Sequence, residues 1–454
     1  MSSTLTDNAP WLSLGELADR GDADQLREET TVLGARECAR AMRRLDEGRQ
    51  SKILTTLDPE SAADLVGEMP DSQAADMISN LAPKAAAAIL NEMESAETAD
   101  LLSMLDDDFV EELLREMEPE AAQDARMLSQ FGDNVAGGLM ITEFLSYSDA
   151  MSVRQVIDDM RVNSENYRNY SIQYTYITAP DGRLVGVLPL RSLLLTPGDI
   201  PVVDIMIKNP LSVEVDDSLD ELTHLFEAYD FLGVPVVDDA GALLGVVRRT
   251  DVVQALGDKA QSDMMKAQGI IGGEELRSMP LWKRCQGRLS WLSANIVLNI
   301  FSASIIAFYE GTLQKAIALA VFLPIISDMS GCSGNQAVAV SMREMTLGLI
   351  KPRDLVHVWM KEISLGVING LALGLLIAVV GLVWKGSAVL GIVVGLALAI
   401  NTILAVMLGS ALPLVMKALR ADPALASGPI LTTCTDMCGF FFVLSFASVV
   451  LDYL

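Results

Sequence analysis

An aspartate stands at position 436, about ten residues inside a long apolar run, in the stretch Leu431-Thr-Thr-Cys-Thr-Asp-Met-Cys-Gly439. A carboxylate at membrane depth is costly unless it faces water, a cation or a hydrogen-bonding partner. No basic residue in the same run can neutralise it, and Thr432, Thr433 and Thr435 add hydroxyl oxygens nearby. The chemistry this pattern suggests is a cation site, with a protonated or hydrogen-bonded structural aspartate as the alternative. A second apolar run carries Pro324, Asp328 and Ser330-Gly-Cys-Ser-Gly-Asn335-Gln336. This stretch is too polar and glycine-rich for a lipid-facing helix, so it is expected to be a broken helix lining a cavity.

Other chemistries find little support. Only two histidines are present, His224 and His357, which argues against a histidine-built metal centre. The five cysteines form no CxxC pair and no disulfide framework. There is no nucleophile–base constellation, Gly-rich phosphate loop or metalloenzyme triad, so no enzyme is expected. Residues Met1 to Pro10 are polar and do not read as a secretory signal.

The elements that must hold Asp436 divide the chain in two. The net charge is −27, yet 51% of residues are hydrophobic. From Leu281 onward the balance is +3, and the first 280 residues carry −30. A strongly acidic soluble part repels nucleic acid and attracts cations. In the apolar part five spans are expected, at about 291–309, 316–341, 355–383, 388–416 and 427–452. With the N-terminus inside, eight basic residues flank the spans on the cytosolic side and only Lys315 and Lys385 lie outside. The positive-inside rule therefore puts the acidic part in the cytosol and Leu454 outside. Gly366, Gly370, Gly374, Gly391, Gly395 and Gly409 read as close helix packing.

Within the acidic part, Leu57-Asp-Pro59, Met69-Pro70, Leu81-Ala-Pro83 and Met117-Glu-Pro119 recur at multiples of about 12 residues, each ahead of an Ala-rich helical stretch. Proline suits the first turn of a helix, so stacked short helices in a superhelical array are expected. From Val135 the pattern becomes strand–helix alternation. Tyr174–Thr178, a turn at Pro180-Asp-Gly182 and Leu184–Leu188 read as a hairpin, which recurs as Gly233–Val237, Asp238-Asp-Ala-Gly241 and Leu243–Val247. This is an internal duplication of about 60 residues.

Taken together, these features resemble the MgtE family of magnesium transporters. The duplicated unit is similar to a tandem cystathionine-β-synthase (CBS) pair, opening at Ala136-Gly-Gly-Leu-Met140 and again at Asp204-Ile-Met206 with Pro210-Leu-Ser-Val-Glu214. Gly334-Asn335-Gln336 resembles the family's second-span signature. Asp422-Pro-Ala-Leu-Ala-Ser-Gly-Pro429 followed by Thr432, Thr433 and Asp436 resembles that of the last span. The resemblance implies a homodimer whose pore runs between subunits along the second and fifth spans. Asp436 would be the ion-binding aspartate, with Thr432, Thr433, Asn335 and Asp422 as further pore candidates. It also implies closure by magnesium bridging acids of the helical array, the CBS pair and a connecting helix. Asp251 and Asp263 match sensing positions, and Asp76 and Asp100 are the candidates in the array, whereas Gln254, Lys259 and Ser262 cannot ligate as carboxylates. The usual CBS ribose-binding pattern is altered in Gly245-Val-Val-Arg-Arg-Thr-Asp251. Asp251 is kept but Arg248 replaces the hydroxyl residue, leaving only a weak adenine-nucleotide site.

The expected fold is therefore multidomain: a cytosolic all-α superhelical domain (1–134), an α/β CBS pair (135–200 and 201–256), a connecting or plug helix (257–281) and a five-helix transmembrane domain (282–454). The expected activity is Mg²⁺ uptake across the cell's inner or plasma membrane, gated by cytosolic Mg²⁺. A carrier for Co²⁺, Ni²⁺ or Mn²⁺, or an exchanger coupled to Na⁺ or H⁺, is the alternative.

Overall fold

The computed structural model describes residues 10–168, 170, 172–271, 275, 276, 279 and 281–451. The polar start, residues 1–9, and the terminal residues 452–454 fall outside these. The chain forms two compact units that divide between Gly257 and Asp258.

The first unit opens with short helices of 8 to 11 residues, from Pro10–Arg20 to Pro119–Leu128. Pro59, Pro83 and Pro119 each sit in the first turn of a helix, where the missing N–H has no intrahelical partner to lose. Pro70 instead occupies the cap position before Asp71–Ser79. The Asp46 and Asp58 carboxylates cap their helices by accepting N–H bonds from Arg49 and Ser61. From the third helix on, the helices stack mainly on the one two places ahead, building a two-layered superhelix around buried Leu, Ile, Met and Ala side chains.

The CBS pair follows as two small sheets. Strands β1 (Leu145–Ser148), β2 (Tyr174–Thr178), β3 (Leu184–Pro189) and β4 (Ile207–Lys208) form one, in that order. Strands β5 (Val213–Glu214), β6 (Gly233–Val237) and β7 (Leu243–Arg248) form the other. Both expected hairpins are present, β2–β3 and β6–β7, each with a register shift near its turn. Each hairpin also gains a parallel neighbour, β1 or β5, too short to read from alternation.

The repeats exchange their opening segments. The Ala136 and Gly137 N–H groups donate to Asp217 and Val215, and Ile141 bridges to Val246, so the first repeat's entry lies on the second sheet. Conversely, β4 closes the edge of the first sheet. Gly186 and Gly245 occupy matching places, and a Cβ on either would collide with the incoming Met206 or Met140.

Helix Arg249–Ala267 leads out of the second repeat, starting eight residues before the expected boundary at 257. The expected connecting segment also includes residues 272–274, 277, 278 and 280, which lie outside the described residues.

Among its described residues, the second unit holds five helices long and apolar enough to cross a membrane: Leu281–Phe308, Ile317–Thr346, Pro352–Lys385, Ala388–Ala418 and Pro423–Val449. We call them the first to fifth spans. The first begins ten residues earlier than expected, because a cationic turn continues the helix. There Arg284 and Arg288 pair with Glu275. The fourth span is the hub, packing against the second, third and fifth. Small residues bring the third and fourth backbones together: a Cβ on Gly370 would stand 2.6 Å from the Ala399 oxygen, and one on Gly374 2.6 Å from that of Gly395.

One expectation is corrected. The second span is not broken at Ser330–Gln336: helix Leu323–Thr346 runs unbroken through it. The irregular part is a 3₁₀ turn at Ile317–Val321, ahead of Pro324. Gly334 serves packing. A Cβ on Gly334 would lie 2.9 Å from both the Ala405 oxygen and Leu431 Cδ2. The hydroxyl of Ser330 is absorbed by the Ile326 carbonyl at 2.7 Å.

Candidate functional site

The second and fifth spans run antiparallel and meet at Asp436, halfway along the fifth. Asp436 is buried, with 8% of its surface open. The Ser327 hydroxyl, from the second span, donates to its Oδ1. No ion pair to Asp436 occurs among the described residues, so a hydroxyl, not a cation, is its partner.

Behind this pair lies Asn401 of the fourth span, fully buried. Its Nδ2 donates to Ser330 Oγ at 2.6 Å and to the Thr435 carbonyl at 2.9 Å, tying together the residues that flank Ser327 and Asp436. Gly439 makes room for it, since a Cβ there would stand 2.7 Å from Asn401 Nδ2. Among the described residues, Asn401 Oδ1 is buried without a partner. Asn401 lies in a mostly apolar helix, and its bonds depend on which spans adjoin.

The other pore candidates are spread along the two helices. Thr432 is exposed one turn from Asp436 and donates its hydroxyl to Gly428 at 3.0 Å; Thr433 does the same to Pro429 at 2.8 Å. Both keep acceptor lone pairs. Asn335 is exposed on the second span, eight residues and therefore about 12 Å beyond Ser327. Asp422 lies about 21 Å along the fifth helix from Asp436. There it accepts N–H bonds from Ala424 and Leu425 and an ion pair from Lys266 at 3.1 Å. Burial alone would raise its pKa, but Lys266 and the helix N–H groups outweigh it and hold Asp422 below the usual range. The structure therefore makes Asp422 a helix cap and a strut to helix Arg249–Ala267.

The regulatory candidates fall apart in a similar way. Arg248 holds Glu94 of the helical array with both terminal nitrogens, at 2.7 and 2.6 Å, and Asp251 through Nε at 2.7 Å. Asp251 is thus engaged by an internal cation. Asp100 is half-buried, and desolvation, with Asp133, Asp71 and Glu97 nearby, pushes it up to about 7. Glu97 also rises to about 7, through desolvation and the Glu94 and Asp71 charges, against the pull of Arg248. Asp76 is exposed and is not among these neighbours; Asp71, from the same helix, is. Asp263 is half-buried, twelve residues beyond Asp251 on the same helix. Among the described residues no group of three His, Cys, Asp or Glu is arranged to hold a metal ion.

Beside β7 a cleft of about 180 Å³ is lined by Ile141, Phe144, Tyr174, Tyr176, Arg248 and Thr250, among others. Drug-sized ligands usually need ~300 Å³ or more. Asp251, the carboxylate at the position matched to ribose binding, is bound to Arg248.

Comparison with known proteins adds an independent line. Residues 323–446 match MgtE, described as a divalent cation transporter, residues 33–134 match the MgtE intracellular N domain, and residues 202–258 match the CBS domain. The chain is 32% identical to the magnesium transporter MgtE of Enterococcus faecalis, over 74% of this chain and 73% of that protein. It is 31% identical to its Thermus thermophilus counterpart, over 74% of each. Among solved structures, the soluble part of a magnesium transporter aligns with 55% of this chain and 98% of its own, at 28% identity and a TM-score of 0.49. The family models fall on the helical array, the second CBS repeat and the membrane spans, and with relatives 31–32% identical over about three quarters of each chain, the chain belongs to the MgtE family of divalent cation transporters.

Proposed function

We propose that this chain carries Mg²⁺ into the cell as a homodimer, along a path walled by the second and fifth spans. The observation that carries this reading is Asp436: a mid-span carboxylate bonded to a hydroxyl, with no cation beside it among the described residues. Mg²⁺ gives up its water reluctantly. Aspartates from two subunits facing a largely hydrated ion would select it through side-chain oxygens, with Thr432 and Asn335 lining the path on the cytosolic side. Entry from outside follows the charge of the loops, which leaves the acidic unit in the cytosol.

Closure by cytosolic Mg²⁺ is the second part of the proposal. Asp100 and Glu97 remain crowded by like charge, and a dication among them would relieve it. Helix Arg249–Ala267, tied to the fifth span through Lys266 and Asp422, would pass the signal on. Adenine nucleotide is assigned at most a weak place in the cleft beside β7.

The test is Mg²⁺ uptake into magnesium-starved cells by wild type and Asp436→Ala. Loss of uptake with the protein still assembled supports the reading, and wild-type uptake overturns it. In voltage-clamped proteoliposomes the reversal potential should follow Mg²⁺ alone; a Na⁺- or pH-dependent value would make the protein a coupled carrier.

A further inference from the structure

Asp436 is not the carboxylate most open to the ion path. Its surface is 8% exposed, and Ser327 holds it from the neighbouring helix. Because Ser327 bonds Asp436, the next residue of the second span stands at the same depth. That residue is Asp328, and it is exposed.

A charged group at this depth cannot rest against hydrocarbon without a large penalty. Asp328 has no ion pair among the described residues; the Cys332 thiol lies 4.0 Å from its Oδ1. Its surroundings on the helix are also unlike a lipid face. Cys332, Asn335 and Gln336 follow at helical spacing and are exposed with it, forming a polar stripe two turns long. The second span buries its opposite side against the fourth and fifth spans. A stripe of this kind, beginning beside Asp436 and ending near Asn335, fits an aqueous wall.

We infer that Asp328 is a second carboxylate of the conduction path, level with Asp436 and closer to the passing ion. This rests on the proposal that the second and fifth spans line the path. The ligand is a hydrated divalent cation, held through its water shell. Two copies of the chain would place four carboxylates in one layer, with the Asp328 pair concentrating dications and the Asp436 pair behind them. A negatively lined constriction raises local cation concentration and favours higher charge.

The experiment uses full-length protein in proteoliposomes and compares wild type with Asp328→Asn, Asp328→Glu and Asp436→Asn. Asp328→Asn should raise the half-saturating Mg²⁺ concentration by about tenfold and admit Na⁺ current, and Asp328→Glu should restore both. Asp436→Asn should abolish Mg²⁺ flux. Unchanged half-saturation and selectivity in Asp328→Asn, with Asp436→Asn inactive, would overturn this inference alone. Flux in Asp436→Asn would overturn the pore reading beneath it. A measurement on unmutated Asp328 guards against misfolded variants. A charged, water-soluble thiol reagent should label Cys332 and be slowed by Mg²⁺, with Cys332→Ser as blank. Failure to label would place the stripe away from water and overturn the inference.

Discussion

Arg248 binds Glu94 through both ends of its guanidinium group, joining the helical array to the second CBS repeat across 154 residues of sequence. The same side chain takes Asp251 through Nε, so one cation serves two carboxylates from different parts of the first unit.

Removing that cation should both weaken the unit and change its response to metal. Arg248→Ala forfeits charge-assisted bonds worth about 2 kcal/mol, a fall of roughly 5 °C in melting temperature for a unit of this size. It also leaves Glu94 and Asp251 facing each other without neutralisation. Millimolar Mg²⁺ should then raise the melting temperature more in the variant than in wild type. Thermal unfolding of the detergent-solubilised protein with and without Mg²⁺ reads both effects.

Stability should also depend on pH through Asp100. Its carboxyl is raised from 3.8 to about 7 in the folded protein. Between those values the unfolded chain releases the proton while the folded one retains it, so stability falls as pH rises through this window and stays low above it. Below the window both states are protonated and the difference disappears. Asp100→Asn should therefore raise the melting temperature by a few degrees at pH 8 and leave it unchanged at pH 3.5. Equal effects at both pH values would contradict the assignment.

Ser327 should matter to transport beyond its bulk. Ser327→Ala removes the hydroxyl from Asp436, a loss on the order of 1.5–3 kcal/mol for a bond to a charged group. Half-saturating Mg²⁺ should rise about tenfold or more, and Ser327→Thr, which keeps a donor, should recover most of it. Radiotracer or fluorescent-indicator uptake at graded Mg²⁺ distinguishes this from lower expression, which would change only the maximal rate.

Two substitutions separate the two jobs of Asp422. Asp422→Asn keeps a capping side chain but loses the charge paired with Lys266; Asp422→Ala loses both, at an added cost of about 1 kcal/mol. Lys266→Met should resemble Asp422→Asn. Both should leave uptake active but less suppressed in magnesium-replete cells, and the double variant should be no worse than either single one. Additive defects would show that the pair does not act as a unit.

The sequence disclosed most where a single helix or hairpin carries the signal. Asp436 stood out because depth and charge conflict within one span, and the duplicated hairpins because alternation and turn residues recur. Partners were another matter. Ser327 and Asn401 bond residues 109 and 34 positions away, a relation no local pattern encodes. In the sequence Arg248 is an intruder in a nucleotide motif, and nothing local marks it as the group that captures Asp251. The glycines of the second span suggest a break because glycine disfavours an isolated helix. In the packed bundle Gly334 relieves contact with the fourth and fifth spans, and the helix runs on unbroken.

The crossed opening segments of the CBS pair have a consequence for any attempt to divide the chain. Cutting at the junction of the repeats would strip the first sheet of β4 and leave the second without the segment around Ile141, exposing two raw seams at once. Neither half is a transplantable module, and a pull on one is delivered to the other like tension through interlocked fingers.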